Sequence, residues 1–100
     1  MKNIVLLCNM GLSTSALMKK MKNHAEKIGF ECEISAHPVT EAVKVGEKAD
    51  CLLLGPQISY QMDRVKKILP DKPIEGIDMR SYGMLDGEAV LNQAKKLMGV

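Results

Sequence analysis

The sequence contains no tryptophan, one phenylalanine and two tyrosines, so aromatic residues make up 3% of its 100 positions. Platforms for stacking bases or sugar rings are therefore scarce, and a core has to be filled by Ile, Leu, Val, Met and Ala. Cysteine is also sparse. Cys8, Cys32 and Cys51 form no CxxC pair and have no histidine at ligand spacing. That argues against a disulfide framework and a zinc site, and reads as three reduced thiols in a reducing compartment.

A dominant charge sign is missing too. Fourteen basic against twelve acidic residues leave a formal charge of +2, and the two signs are interleaved along the chain. Nothing here calls for nucleic acid as a partner. Long hydrophobic runs are absent: the opening stretch Ile4-Val5-Leu6-Leu7 is far shorter than a signal-peptide core or a membrane span. The expectation is a cytoplasmic protein that does not insert in a membrane and needs neither metal nor cofactor. Any membrane segment it works with belongs to another chain.

What is present suits one globular domain spanning residues 1–100, with 46% hydrophobic and 26% charged residues. Ile4 to Leu7 reads as a central strand buried on both faces. Leu17, Met18, Met21, Ala25 and Ile28 recur at helical spacing from Ser15 to about Ile28, and Gly29 ends that helix. Cys32, Ile34 and Ala36 alternate with polar residues, as in an edge strand that Pro38 closes. A short helix is expected over Thr40 to Glu47, with Ala42, Val43 and Val45 toward the sheet. Cys51 to Leu54 is a second buried strand.

Ile58, Met62, Val65, Ile68 and Leu69 mark a third helix, and Pro73 to Asp78 a fourth strand. Asp86 precedes a last helix carrying Ala89, Val90, Ala94, Leu97 and Met98 on one side. Four βα units in this length predict an α/β fold: a doubly wound, four-stranded parallel sheet flanked by helices, flavodoxin-like. Ligands of such sheets bind beyond the carboxyl ends of the strands, where the winding reverses.

The loop after the first strand lies at that point. It reads Cys8-Asn9-Met10-Gly11-Leu12-Ser13-Thr14-Ser15 and leads into a helix N-terminus. Converging backbone N–H groups and the positive end of the helix dipole make this an anion site, to which Ser13, Thr14 and Ser15 add hydroxyl donors. Gly11 permits a positive φ or close approach to a phosphate. The same donors would favour the thiolate of Cys8, a nucleophile that needs no separate base. The bland reading gives Cys8 and Ser-Thr-Ser no role beyond ending a strand and capping a helix. Met10 and Leu12 weigh against it, because hydrophobes of that size at a loop tip pack inward or meet a partner.

This loop, after Ile4-Val5-Leu6-Leu7, resembles the start of the enzyme IIB proteins of the lactose/cellobiose family of the bacterial sugar phosphotransferase system. Leu52-Leu53-Leu54-Gly55-Pro56-Gln57-Ile58 and Tyr82-Gly83 extend the resemblance over almost the whole chain. It implies that Cys8 is phosphorylated by a phosphohistidine of an enzyme IIA. Cys8 would then pass the group to a β-disaccharide, of the cellobiose or diacetylchitobiose type, bound in the membrane enzyme IIC.

Two other classes share the geometry. A small cysteine phosphatase or arsenate reductase has arginine where this chain has Thr14, and the missing guanidinium removes a bidentate clamp on the transferring phosphoryl group. The other is a noncatalytic anion-binding regulatory domain. Gln57, at the end of the neighbouring strand, is expected on the rim of the site. His37, at the carboxyl end of a strand, could approach the site but is given no catalytic role, and spacing alone cannot place Tyr60, Asp78 and Tyr82 on its rim.

Overall fold

The computed structural model describes residues 1–8 and 12–100, and the side chains of all of these except Leu12 and Ser13. Its four strands are β1 (Lys2–Cys8), β2 (Cys32–Pro38), β3 (Cys51–Leu54) and β4 (Ile74–Gly76). All pair in parallel, in the order β2-β1-β3-β4. The helices are α1 (Leu12–Ile28), α2 (Ala42–Gly46), α3 (Met62–Ile68), α4 (Met79–Gly83) and α5 (Gly87–Met98). The α/β fold expected from the alternation of apolar runs and amphipathic stretches is the one observed.

Two cores sandwich the sheet, and the pleat divides β1 and β3 between them. Ile4 and Leu6, with Cys51 and Leu53, pack under α1 and α5, while Val5 and Leu7, with Leu52 and Leu54, pack on α2 and α3. That double burial is why both segments read as unbroken hydrophobic runs. From α1, Leu17 and Met21 are fully buried. Side chains of this size each contribute about 1.5–3 kcal/mol when taken out of water. The chain steps outward from β1 to β2 with α1 on one face, then back past β1 to β3 with α2 on the other. Direction and face reverse together, so the crossovers keep one hand.

β2 is an edge strand as expected, with Ile34 its one buried residue. Ile74 and Ile77 are three residues apart and so enter opposite cores. This explains their imperfect alternation and why β4 pairs over only Ile74–Gly76. Helix ends follow their local chemistry. Gly29 and Gly99 adopt φ of +70° and +78° after α1 and α5, and Asp86 caps α5 by accepting a hydrogen bond from the Ala89 N–H at 3.0 Å.

Several sequence expectations are corrected. α1 begins at Leu12, so Leu12, Ser13, Thr14 and Ser15 belong to a helical first turn and not to the loop. Val43 and Ile28 are exposed, because a helix as short as α2 offers one face to the sheet and Ile28 sits where α1 leaves it. The third helical segment is divided: a 3-10 turn over Pro56–Gln61, kinked at Ile58, precedes α3. The fully buried Leu91 joins the apolar face of α5.

α4 was not expected at all. It has five residues and is stopped by Leu85, two positions beyond it at φ +52°, with the Asp86 N–H bonded to the Ser81 carbonyl and the Leu85 N–H to the Tyr82 carbonyl. This is the glycine-type helix stop made by a leucine, so the usual sequence signal is missing. Leu85 packs against the α1/α5 core, which offsets the cost of its left-handed backbone.

Candidate phosphoryl-transfer site

Cys8 is the last residue of β1, 2% exposed, and is paired with Pro38 at the end of β2. It lies two residues beyond Leu6 and so falls on the α1/α5 side of the pleat. On its other flank β3 ends at Leu54, where Gly55 donates its N–H to the Leu7 carbonyl at 2.8 Å. Here the winding reverses, between β1 and β3, which is the place where doubly wound sheets hold their ligands.

Gly55 is a glycine for space and not for backbone freedom, since its φ of −64° is open to any residue. A methyl group placed on it would lie 2.8 Å from Gln57 Oε1 and 3.5 Å from Cys8 Cβ. The Gln57 amide therefore stands beside the same small wall as Cys8. Pro56 begins the 3-10 turn and the buried Ile58 anchors it in the α2/α3 core. Between them the exposed Gln57 is held in place.

Gln57 Nε2 donates to the Tyr82 hydroxyl at 3.1 Å, and Tyr82 shares a further hydrogen bond of 2.8 Å with Thr14 Oγ1. Thr14, at the third position of α1, is 2% exposed. α4 brings Tyr82 into reach. Asp78 caps that helix, accepting from the Ser81 N–H at 3.0 Å and the Ser81 hydroxyl at 2.9 Å, and these donors hold its carboxyl below the ordinary range. The structure thus joins Thr14, Gln57 and Tyr82 beside the β1–α1 junction. Ser15 is exposed. Asn9, Met10 and Gly11, and the side chains of Leu12 and Ser13, lie outside the described residues.

The family model for the PTS system lactose/cellobiose-specific IIB subunit matches residues 3–93. The chain belongs to this IIB family. It is 44% identical over 100 residues to the oligo-beta-mannoside-specific EIIB component of Bacillus subtilis (strain 168), covering 98% of this chain and 97% of that one. It is 36% identical over 104 residues to the galactose-specific EIIB component of Lactococcus lactis subsp. cremoris (strain MG1363), covering 97% and 96%. The solution structure of the cellobiose-specific phosphotransferase IIB component from Borrelia burgdorferi superposes with a TM-score of 0.84 at 32% identity, over 98% of this chain and 92% of that one. IIB chains are the phosphotransferase components of sugar import.

The rest of this IIB chain bears on which residues take part. His37 Nε2 faces Ser35 Oγ at 3.1 Å and its Nδ1 faces Glu41 Oε1 at 3.4 Å. Tyr60 is 79% exposed and its hydroxyl accepts from Gln61 Nε2. The two arginines, Arg64 and Arg80, are exposed on α3 and α4. Thr14 occupies the position where a cysteine phosphatase carries its arginine, and its hydroxyl is joined to Tyr82. Tyr82, like Tyr60 and Asp78, is a residue that spacing along the chain does not place. Its one local signal was the Tyr82-Gly83 pair.

No described helix is long and apolar enough to cross a membrane.

Proposed function

We propose that Cys8 is the phosphoryl carrier of this IIB chain, taking the group from a phosphohistidine of enzyme IIA and delivering it to a sugar held by the membrane enzyme IIC. The observation that carries this reading is the position of Cys8: the last residue of a buried strand at the switch point of the sheet, immediately before the junction with α1. A thiolate sulfur there attacks phosphorus in line. The S–P bond forms as the N–P bond breaks, and the electron pair returns to the imidazole nitrogen, which recovers the proton the thiol gave up.

In the second transfer the sugar hydroxyl oxygen attacks phosphorus, the S–P bond breaks, and the hydroxyl proton returns to the sulfur. The backbone N–H groups of residues 9–15 and the hydroxyls of Ser13, Thr14 and Ser15 form the phosphate cradle, with Gln57 on its rim. Neutral donors bind the phosphoryl group without the charge stabilisation that an arginine supplies for hydrolysis, which suits a group waiting for a second protein. Residues 1–100 act as one IIB-type domain in the cytoplasm, docking on a membrane partner. Relatives are named for oligo-beta-mannoside, galactose and cellobiose, and the first and last of these support a β-linked disaccharide as the acceptor.

Incubation with histidine-phosphorylated enzyme IIA tests the proposal by intact mass. One added phosphoryl group is expected on the wild-type chain and none on Cys8→Ser. A wild-type chain that takes none, or a Cys8→Ser chain that still takes one, overturns the assignment. Turnover of a simple aryl phosphate would instead support a phosphatase.

A further inference from the structure

We propose that Tyr82 is a positioning residue that aims the Thr14 hydroxyl proton at the phosphoryl group on Cys8. The inference rests on the carrier reading above and adds to it a direction of hydrogen bonding.

That direction follows from proton counting. Gln57 Nε2 carries protons and no acceptor lone pair, so the contact at 3.1 Å makes the Tyr82 oxygen the acceptor. The Tyr82 hydroxyl has a single proton of its own. Among the described residues its other polar neighbour is Thr14 Oγ1 at 2.8 Å. Tyr82 is 8% exposed and Thr14 2%, so a proton turned away from Thr14 would be left in a nearly dry site. The consistent arrangement runs Gln57 to Tyr82 to Thr14, each donating to the next.

Thr14 Oγ1 then accepts from Tyr82 and keeps its own proton to give. Thr14 is the third residue of α1, in the first turn, whose backbone N–H groups have no partner within the helix. The acceptor that completes the chain is a phosphoryl oxygen on Cys8. Three elements meet in this relay: the first turn of α1, the turn after β3, and α4. Polarised in series, the bonds strengthen one another, and the charge on the phosphoryl oxygens is met by a donor that is already oriented.

The test is a double-mutant cycle on single-turnover phosphorylation by histidine-phosphorylated enzyme IIA. Tyr82→Phe keeps the ring and removes the hydroxyl, and Thr14→Val keeps the shape and removes the donor. Each is expected to slow the transfer about tenfold at saturating enzyme IIA while leaving half-saturation unchanged. The double variant should be no slower than the slower single one. Thr14→Ser, which retains a hydroxyl, should keep most of the rate.

Losses that multiply in the double variant, or a Tyr82→Phe chain at the wild-type rate, overturn the inference. Gln57→Leu changes an exposed side chain and guards against a folding defect in Tyr82→Phe. It should slow the wild-type chain about threefold and leave Thr14→Val unaffected, and slowing both equally counts against the relay. A wild-type chain that accepts no phosphoryl group overturns the carrier reading and this inference with it. Normal wild-type acceptance with multiplicative losses overturns this inference alone.

Discussion

Thr14 Oγ1 and the Tyr82 hydroxyl lie 2.8 Å apart, although 68 residues separate them in the chain. The bond ties the first turn of α1 to α4 at the end of the molecule where Cys8 emerges from β1. Tyr82→Phe should cost about 1 kcal/mol of stability, the usual net value of one hydrogen bond, because the exposed Gln57 regains water and only Thr14 is left short of a partner. Urea unfolding followed by circular dichroism measures it. A loss above about 4 kcal/mol would mean that the tyrosine holds the fold and not merely the site.

Gly55→Ala separates stability from transfer in the opposite sense. The new methyl group would meet Gln57 Oε1 at 2.8 Å, the far end of a mobile side chain, and would sit at an ordinary 3.5 Å from Cys8 Cβ. Folding should change by less than about 1 kcal/mol, because the amide can swing aside. Displaced from Tyr82, Gln57 no longer supports the network, and phosphoryl acceptance should slow severalfold. Stopped-flow transfer kinetics beside thermal melts test both halves.

Gly87→Ala should weaken the fold and leave the chemistry alone. α5 approaches α1 so closely there that a methyl group would lie 2.6 Å from the Lys20 carbonyl carbon and 2.7 Å from the Met21 nitrogen. These are backbone atoms and cannot step aside without moving a helix. A destabilisation of about 1–3 kcal/mol is expected from such overpacking, read from the urea midpoint.

Cys51 gives a pH-dependent signature. Burial, with Asp50 and Glu75 nearby, pushes its thiol from an ordinary 9.0 up to about 12. The folded state therefore favours the protonated thiol. Its contribution is complete below about pH 9, where the unfolded thiol begins to ionise, and is lost as pH rises toward 12. The stability difference between wild type and Cys51→Ala should narrow over that window. Comparing paired urea titrations at pH 8 and pH 10.5 (about midway) cancels the ionisation of lysines and tyrosines common to both chains.

Local pattern carried much of this far. The runs at Ile4–Leu7 and Cys51–Leu54 had to be central strands because both of their faces are covered, and the edge strand betrayed itself by alternation with Glu31, Glu33 and Ser35. Asp86 and Gly29 announced helix ends because capping is chemistry between near neighbours. Where the signal depended on a partner distant in sequence, pattern was silent. α4 is stopped by a following leucine in the left-handed region, held there by the core beneath it, so no glycine at that position marks the end.

Local sequence sufficed for the order of the four strands, the place of Cys8 at the end of the first, and the lack of an arginine at the position Thr14 occupies. Each of these depends on residues a few positions apart. The partner of Thr14 comes from packing between layers. α5 docks on α1 through Gly87, and α4 precedes it, so Tyr82 arrives at the α1 N-terminus while Gln57 reaches it from the turn after β3. That meeting is a property of packed layers, which no spacing along the chain encodes.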